Sequence, residues 1–263
     1  MNKTNHHPII IIGVMILFIW LKKKTLIYFF SILLAISLVV ICASVKEAKT
    51  DLTAPDTEPV NLPLSNKTIL IDSGHGGFDA GASVNNVLEK DINLSVSLKL
   101  RECLKEAGAT VVMTREEDVS TKDESRKDGT SDKVSDMHRR KEMISESGAD
   151  IFISIHMNKF PQSKYWGAQV FYAKTPENSK VLGENIQASL LRTLNDNNKR
   201  VAKQGDSSIY ILKNAAVPSV IVECGFLSNP DELKKLQNND YQLKLAWGIT
   251  SGVCDYFQTI STP

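Results

Sequence analysis

From residue 67 onward, short runs of β-branched and other apolar residues alternate with stretches whose apolar positions recur every three or four residues. Strands separated by helical patterns predict βαβ units. The expected fold is α/β: a single three-layer domain over 67–258, in which a mixed, mostly parallel sheet is flanked by helices. Strand-like runs cover 68–72, 110–113, 151–155, 168–172 and 219–222. The clearest helix follows Glu89, where Ile92, Val96, Leu100, Cys103, Leu104 and Ala107 share one face and Gly108 is placed to stop it. Helical spacing also covers 136–147, 177–195 and 241–257. A charged, Ser/Thr/Lys/Asp-rich insertion at 116–135 is too long for a simple connector; it is expected to be solvated and mobile, within reach of a cleft.

The pattern upstream is different. Residues 25–45 are 21 consecutive positions without a charge, about the length that an α-helix needs to cross a bilayer. Lys22, Lys23 and Lys24 precede them, so the positive-inside rule keeps residues 1–24 cytoplasmic and exports the domain. The expectation is a transmembrane signal-anchor ahead of the domain. Cleavage of a signal peptide competes with it, because Ala43, Ser44 and Val45 offer small residues at the end of the run. The 14 residues of 8–21 are short for a span; an interfacial segment, a second short span and an extension from an upstream start all stay open. Val40-Ile41 before Cys42 lacks the small residue that precedes a lipidated cysteine. Residues 46–66, with three prolines and no apolar period, read as a linker.

The 263 residues and their 42% hydrophobic content suffice for one sizeable core. The formal charge of +1 hides a split: residues 1–45 hold four lysines and no acid, leaving 27 basic against 30 acidic residues in the rest. No nucleic-acid footprint follows. The four cysteines lack the spacing of a zinc finger or a disulfide scaffold, and Cys103, Cys224 and Cys254 read as small buried residues.

Candidate chemistry sits where the strand-like runs end. The runs lead to Asp72 and His75, to His156, and to Glu223. In open α/β sheets the ligand crevice lies beyond the carboxyl ends of the strands, so these distant residues can converge. Glycines around His75 allow a sharp turn, and the spacing of that loop matches neither a Walker A motif nor a dinucleotide fingerprint. A carboxylate closing the run Val220-Ile221-Val222 is costly to bury unless it is paired, protonated or metal-bound. Glu89 opens a helix, which its charge favours, and also lies 14 residues after His75, within reach of the same sheet edge. Two histidines and a carboxylate form the minimum ligand set of a zinc hydrolase. His138, with Arg139, Arg140 and Lys141, reads as part of a solvated helix face, and His6 and His7 precede the apolar segments. Ser73, Ser154 and Ser228 lack a nucleophile elbow.

Four motifs in order, around Ser73-Gly74-His75-Gly76-Gly77, Leu88-Glu89-Lys90-Asp91, Ser154-Ile155-His156-Met157-Asn158 and Val222-Glu223-Cys224-Gly225-Phe226, resemble those of the zinc-dependent N-acetylmuramoyl-L-alanine amidases. The membrane segment and the lack of separate wall-binding repeats resemble, within that family, the germination-specific cortex amidases of spore formers. The resemblance implies His75, Glu89 and His156 as zinc ligands and Glu223 as the catalytic carboxylate, although sequence alone leaves the roles of the two glutamates exchangeable. It implies hydrolysis of the amide between the lactyl group of N-acetylmuramic acid and L-alanine in peptidoglycan. It further implies action in spore cortex maturation from a membrane-anchored, exported position, with an accessory sporulation protein as a further partner. Ala80, where proline is frequent, and Ser145-Glu146, where a small residue plus asparagine is usual, depart from the family pattern without touching a proposed ligand.

Overall fold

The computed structural model describes residues 62–123, 125 and 129–261, and in the N-terminal stretch 25, 28, 31–32 and 34–41. The folded domain lies in the unit Asn61–Pro263. Its main sheet has six strands: β1 (Thr68–Ser73), β4 (Thr110–Met113), β5 (Ile151–Asn158), β6 (Gln169–Tyr172), β7 (Lys203–Gln204) and β8 (Ser219–Phe226), in the order β4-β1-β5-β8-β6-β7. The first four strands of that order run parallel, and β6 joins β8 antiparallel. A short hairpin, β2 (Ser83–Val84) and β3 (Val87–Leu88), leads into the first helix.

Five helices cover the sheet: α1 (Glu89–Glu106), α2 (Asp132–Glu146), α3 (Asn178–Leu194), α4 (Pro230–Leu236) and α5 (Asn239–Ser261). On one face Ile69, Ile71, Ile153, Ile155, Val220 and Val222 are buried in a core shared with α1, α3 and α5. The other face is thinner: Leu70, Phe152 and Ile221 are covered by Ile144 of α2 and by Ile211 and Leu212 of a 3₁₀ turn. Burial on both faces is why β5 and β8 read as near-continuous apolar runs instead of alternating ones. The helices α3 and α5 cross so closely that a Cβ on Gly252 would stand 2.5 Å from the Cα of Ile186.

The expected mixed, mostly parallel sheet between helices is present. The helix after Glu89 ends as its pattern requires: Ala107 closes it and Gly108 turns away at φ +100°. The helix α4 was not anticipated; Asn229 caps it by accepting from the N–H groups of Asp231 and Glu232, and Pro230 occupies its first turn. The insertion differs from expectation at both ends. α2 already begins at Asp132, and Asp118 accepts from the N–H of Gly77 (2.8 Å) and from Lys90 Nζ (2.6 Å), binding the start of the insertion to the His75 loop.

The expected membrane span at 25–45 lies in large part outside the described residues. Those that are described there are helical, and their Ile, Leu and Val side chains are more than half exposed. Among the described residues no helix is long and apolar enough to cross a membrane.

Candidate metal centre

Parallel strands all deliver their carboxyl ends to one rim, and there the four singled-out side chains meet. After β1, His75 adopts φ 60° and Gly76 φ 135°, a left-handed turn that brings the imidazole back over the sheet edge. His156 lies on β5 in register with Glu223 on β8, and Glu223 is in register with Gln169 on β6. Register partners share a face, so His156, Glu223 and Gln169 form a row across the rim on the thinly covered side. The hairpin turns the chain so that Glu89, at the start of α1, faces the two histidines.

One ligand atom from each of His75, Glu89 and His156 lies within 4.8 Å of the others. Glu89 Oε1 stands 3.2 Å from His75 Nε2 and 3.0 Å from His156 Nδ1. Donors on a tetrahedral zinc with ~2.0 Å bonds are about 3.3 Å apart, so these spacings suit that ion. The supporting contacts suit it too. His75 Nδ1 lies 2.8 Å from Asp79 Oδ2, the carboxylate–imidazole pairing that fixes the tautomer of a metal-binding histidine. Glu89 Oε2 accepts from the N–H of Ala82 (2.8 Å), and Oε1 accepts from the N–H of Met157 (3.2 Å), which orients the carboxylate. Gly74 leaves the space that His156 fills: a Cβ there would stand 2.3 Å from His156 Nε2.

The two glutamates are electrostatically distinct. Burial opposes ionisation of Glu89, but hydrogen bonds and charge from His156 and His75 outweigh it and hold the carboxyl well below the usual carboxylate range. The His75 imidazole is shifted the other way; burial favours its neutral form, and Glu89 and Asp79 override this and raise its pKa. Glu223 has no such partner. Burial, helped by the nearby charge of Glu89 and opposed by the two histidines, pushes its carboxyl up to about 7. Its Oε2 is buried without a hydrogen-bond partner. Oε2 of Glu223 is thus a buried acceptor without a donor, beside the cluster of His75, Glu89 and His156.

Two buried guanidinium groups hold the His75 turn. Arg140, 2% exposed, donates to Asp72 (2.5 Å) and to Asp136 (2.7 Å), and also to the carbonyls of Ser73 (2.8 Å) and His75 (2.6 Å). Arg115 donates to the carbonyls of Ser73, His75, Gly74 and Lys90 at 2.7–3.0 Å. Asp72 in turn accepts from Thr114 and Ser154. Burial would raise the pKa of Asp72, but the Arg140 charge and these hydrogen bonds bring it down to about 2. The reading of Arg140 as part of a solvated helix face is therefore corrected: the residue is turned inward. Met137, Arg140 and Ile144 share a three-to-four-residue spacing that carried the signal. Arg115, just past the end of β4, and Asp79, four residues after His75, were also missed; their positions at the rim mark them. A cleft of about 300 Å³ opens over the site, lined by His75, His156, Lys133, Met137 and Tyr210 among others.

Residues 69–255 match the family described as N-acetylmuramoyl-L-alanine amidase. The germination-specific N-acetylmuramoyl-L-alanine amidase of Bacillus subtilis is 42% identical over 207 residues, 78% of this chain and 86% of that protein. The amidase LytC of the same organism is 31% identical over 74% of this chain and 36% of its own length. Among solved structures, the CwlD amidase of Clostridioides difficile, determined in complex with the GerS lipoprotein, superposes with a TM-score of 0.70 at 46% identity, covering 74% of this chain and all of that one.

Replacing Arg140 by Leu leaves the Asp72 charge buried without its counter-ion and should cost about 3–5 kcal/mol in denaturant unfolding; a loss below ~1 kcal/mol would contradict the role given to the pair. For Glu223 the sign is opposite to that of an ordinary ion pair. Its folded pKa of about 7 exceeds the ordinary glutamate value of 4.5, so its contribution favours folding below pH ~4.5 and is lost as pH rises through ~7. Metal-stripped Glu223→Gln should match the parent near pH 4.5 and exceed it near pH 8 by up to ~3 kcal/mol in parallel unfolding titrations.

Proposed function

As a member of the N-acetylmuramoyl-L-alanine amidase family, the chain is a cell-wall amidase, and we propose that it cuts the lactyl–L-alanine amide of peptidoglycan using zinc held by His75, Glu89 and His156. The observation that carries this reading is the convergence of those three ligand atoms within 4.8 Å, beside the unpartnered Oε2 of Glu223. When bound, zinc would polarise the scissile carbonyl and lower the pKa of water towards ~7.

The protein's own groups do the rest. Glu223, whose buried Oε2 has no hydrogen-bond partner, accepts the proton of the attacking water and returns it to the nitrogen of the departing L-alanine. Asp79 keeps His75 presenting Nε2 to the site. The guanidinium groups of Arg140 and Arg115 fix the backbone turn that carries His75, so the geometry is set before substrate arrives. The two glutamates divide the labour by environment: Glu89 stays ionised as a ligand, and Glu223 exchanges protons.

The likeness to a relative named as germination-specific supports a role in spore cortex, where removing the stem peptide prepares muramic acid for lactam formation. The exposed apolar side chains of the described helical residues between 25 and 41, behind Lys22–Lys24, support a membrane anchor with the 67–258 domain exported and 46–66 as the linker. That a similar amidase was determined with a lipoprotein supports an accessory protein partner of the same kind.

Purified cortex peptidoglycan tests the reading. The zinc-loaded chain should release stem peptides, detected by mass spectrometry. Glu223→Gln should keep one equivalent of zinc by elemental analysis while losing ~100-fold or more in turnover. His75→Ala and His156→Ala should lose both metal and activity. Native-rate release by metal-loaded Glu223→Gln would overturn the assignment of the base.

A further inference from the structure

A second concave site stands on the same rim, one strand beyond Glu223. The loop 159–168 leaves β5 just after His156 and enters β6 at Gln169, the register partner of Glu223, so it spans the end of β8. With the loop 195–202 it encloses a cavity of about 420 Å³ lined by Lys164, Tyr165, Trp166, Asn198, Lys199 and Arg200, among others.

The walls are fixed. Asn198 Nδ2 donates to the Ala168 carbonyl (2.8 Å), and Gly167, at φ +91°, lets the two loops approach so closely that a Cβ would stand 2.6 Å from the Asn198 side chain. Arg200 donates to the Trp166 carbonyl (2.7 Å) and to Gln169 Oε1 (2.8 Å), and its guanidinium lies 4.6 Å from the Phe226 ring centroid. All of these Arg200 partners are neutral. No ion pair joins Lys164, Lys199 or Arg200 to a carboxylate among the described residues. The carboxylates that support the loops face backbone instead: Asp196 accepts from Asn198 N–H, and Glu232 from Gly167 and Phe226 N–H. Trp166 remains 39% exposed beside these three cations.

We propose that this cavity is a subsite for free carboxylates of the peptide stem, gripping the second and third residues beyond the scissile amide. The inference rests on the amidase reading above and adds to it the direction in which the stem lies. Adjacent strands are ~4.8 Å apart, so Gln169, to which Arg200 of the cavity wall donates, lies two strands or about 10 Å across the rim from His156, the reach of roughly three extended residues. Lys164, Lys199 and Arg200, three cations with no ion-pair partner among the described residues, favour an acidic peptide over a neutral glycan.

The test uses the full zinc-loaded chain and two muropeptides that share the same muramoyl–L-alanine bond, one with free carboxylates on the second and third stem residues and one with both amidated. The native protein should favour the acidic stem by about tenfold or more in kcat/KM, mainly through KM, and the double variant Lys164→Glu/Lys199→Glu should abolish that preference, with Lys164→Gln/Lys199→Gln intermediate. Equal native rates on the two muropeptides, or an unchanged preference in the double variant, would overturn the subsite alone. A parallel loss on both stems would assign the patch to the glycan and likewise overturn it. Cleavage of neither muropeptide by the native chain would instead strike the amidase reading itself.

Discussion

The contact on which the site depends is the buried ion pair between Arg140 of α2 and Asp72 at the end of β1. A helix on the thin side of the sheet thereby reaches through to the backbone of the His75 turn, and Arg115 from the end of β4 seizes the same carbonyls from the other side. A left-handed turn at a sheet rim has few backbone partners of its own. Here the donors come from two guanidinium groups, whose planar forks can serve several carbonyls at once. The charge that makes this possible is tolerated because Asp72 and Asp136 stay ionised beside Arg140.

From that anchored turn the rest of the chemistry follows by strand geometry. β5 and β8 bring His156 and Glu223 to the same level on the same face, and the short hairpin returns Glu89 to the histidines. The division between a permanently ionised carboxylate and one poised near neutrality then arises from placement: Glu89 collects two imidazoles and two N–H groups, whereas Glu223 is buried facing them without a partner of its own. Identical side chains at one rim thus have their pKa values moved in opposite directions.

Much of this was legible in the sequence because it depends on local pattern. Continuous apolar runs identified β1, β5 and β8, and the rule that ligands gather at the carboxyl ends of parallel strands pointed to His75, His156 and Glu223. Glu89 was recognisable as a helix opener 14 residues after His75, within reach of the same sheet edge, and the ordered motifs then marked it as a ligand. The supporting groups were harder to see. Arg140 sits in a run of five polar and charged residues, 138–142, and all its partners but Asp136 lie 65–68 positions away; only its helical spacing to Met137 and Ile144 marked it as inward. Asp118 belongs to the 116–135 stretch, whose composition reads as solvated, and Arg115 immediately precedes it, yet long-range contacts bind both to the His75 loop.

The central claim is that one ion is held by His75, Glu89 and His156 while Glu223 stands outside its coordination. An anomalous-difference map collected across the zinc absorption edge tests it most directly. A single peak about 2.0–2.2 Å from an atom of each of the three ligands, with Glu223 beyond bonding distance, is the predicted result. A peak bonded to Glu223 in place of Glu89, or none between the two histidines in zinc-loaded crystals, would contradict it.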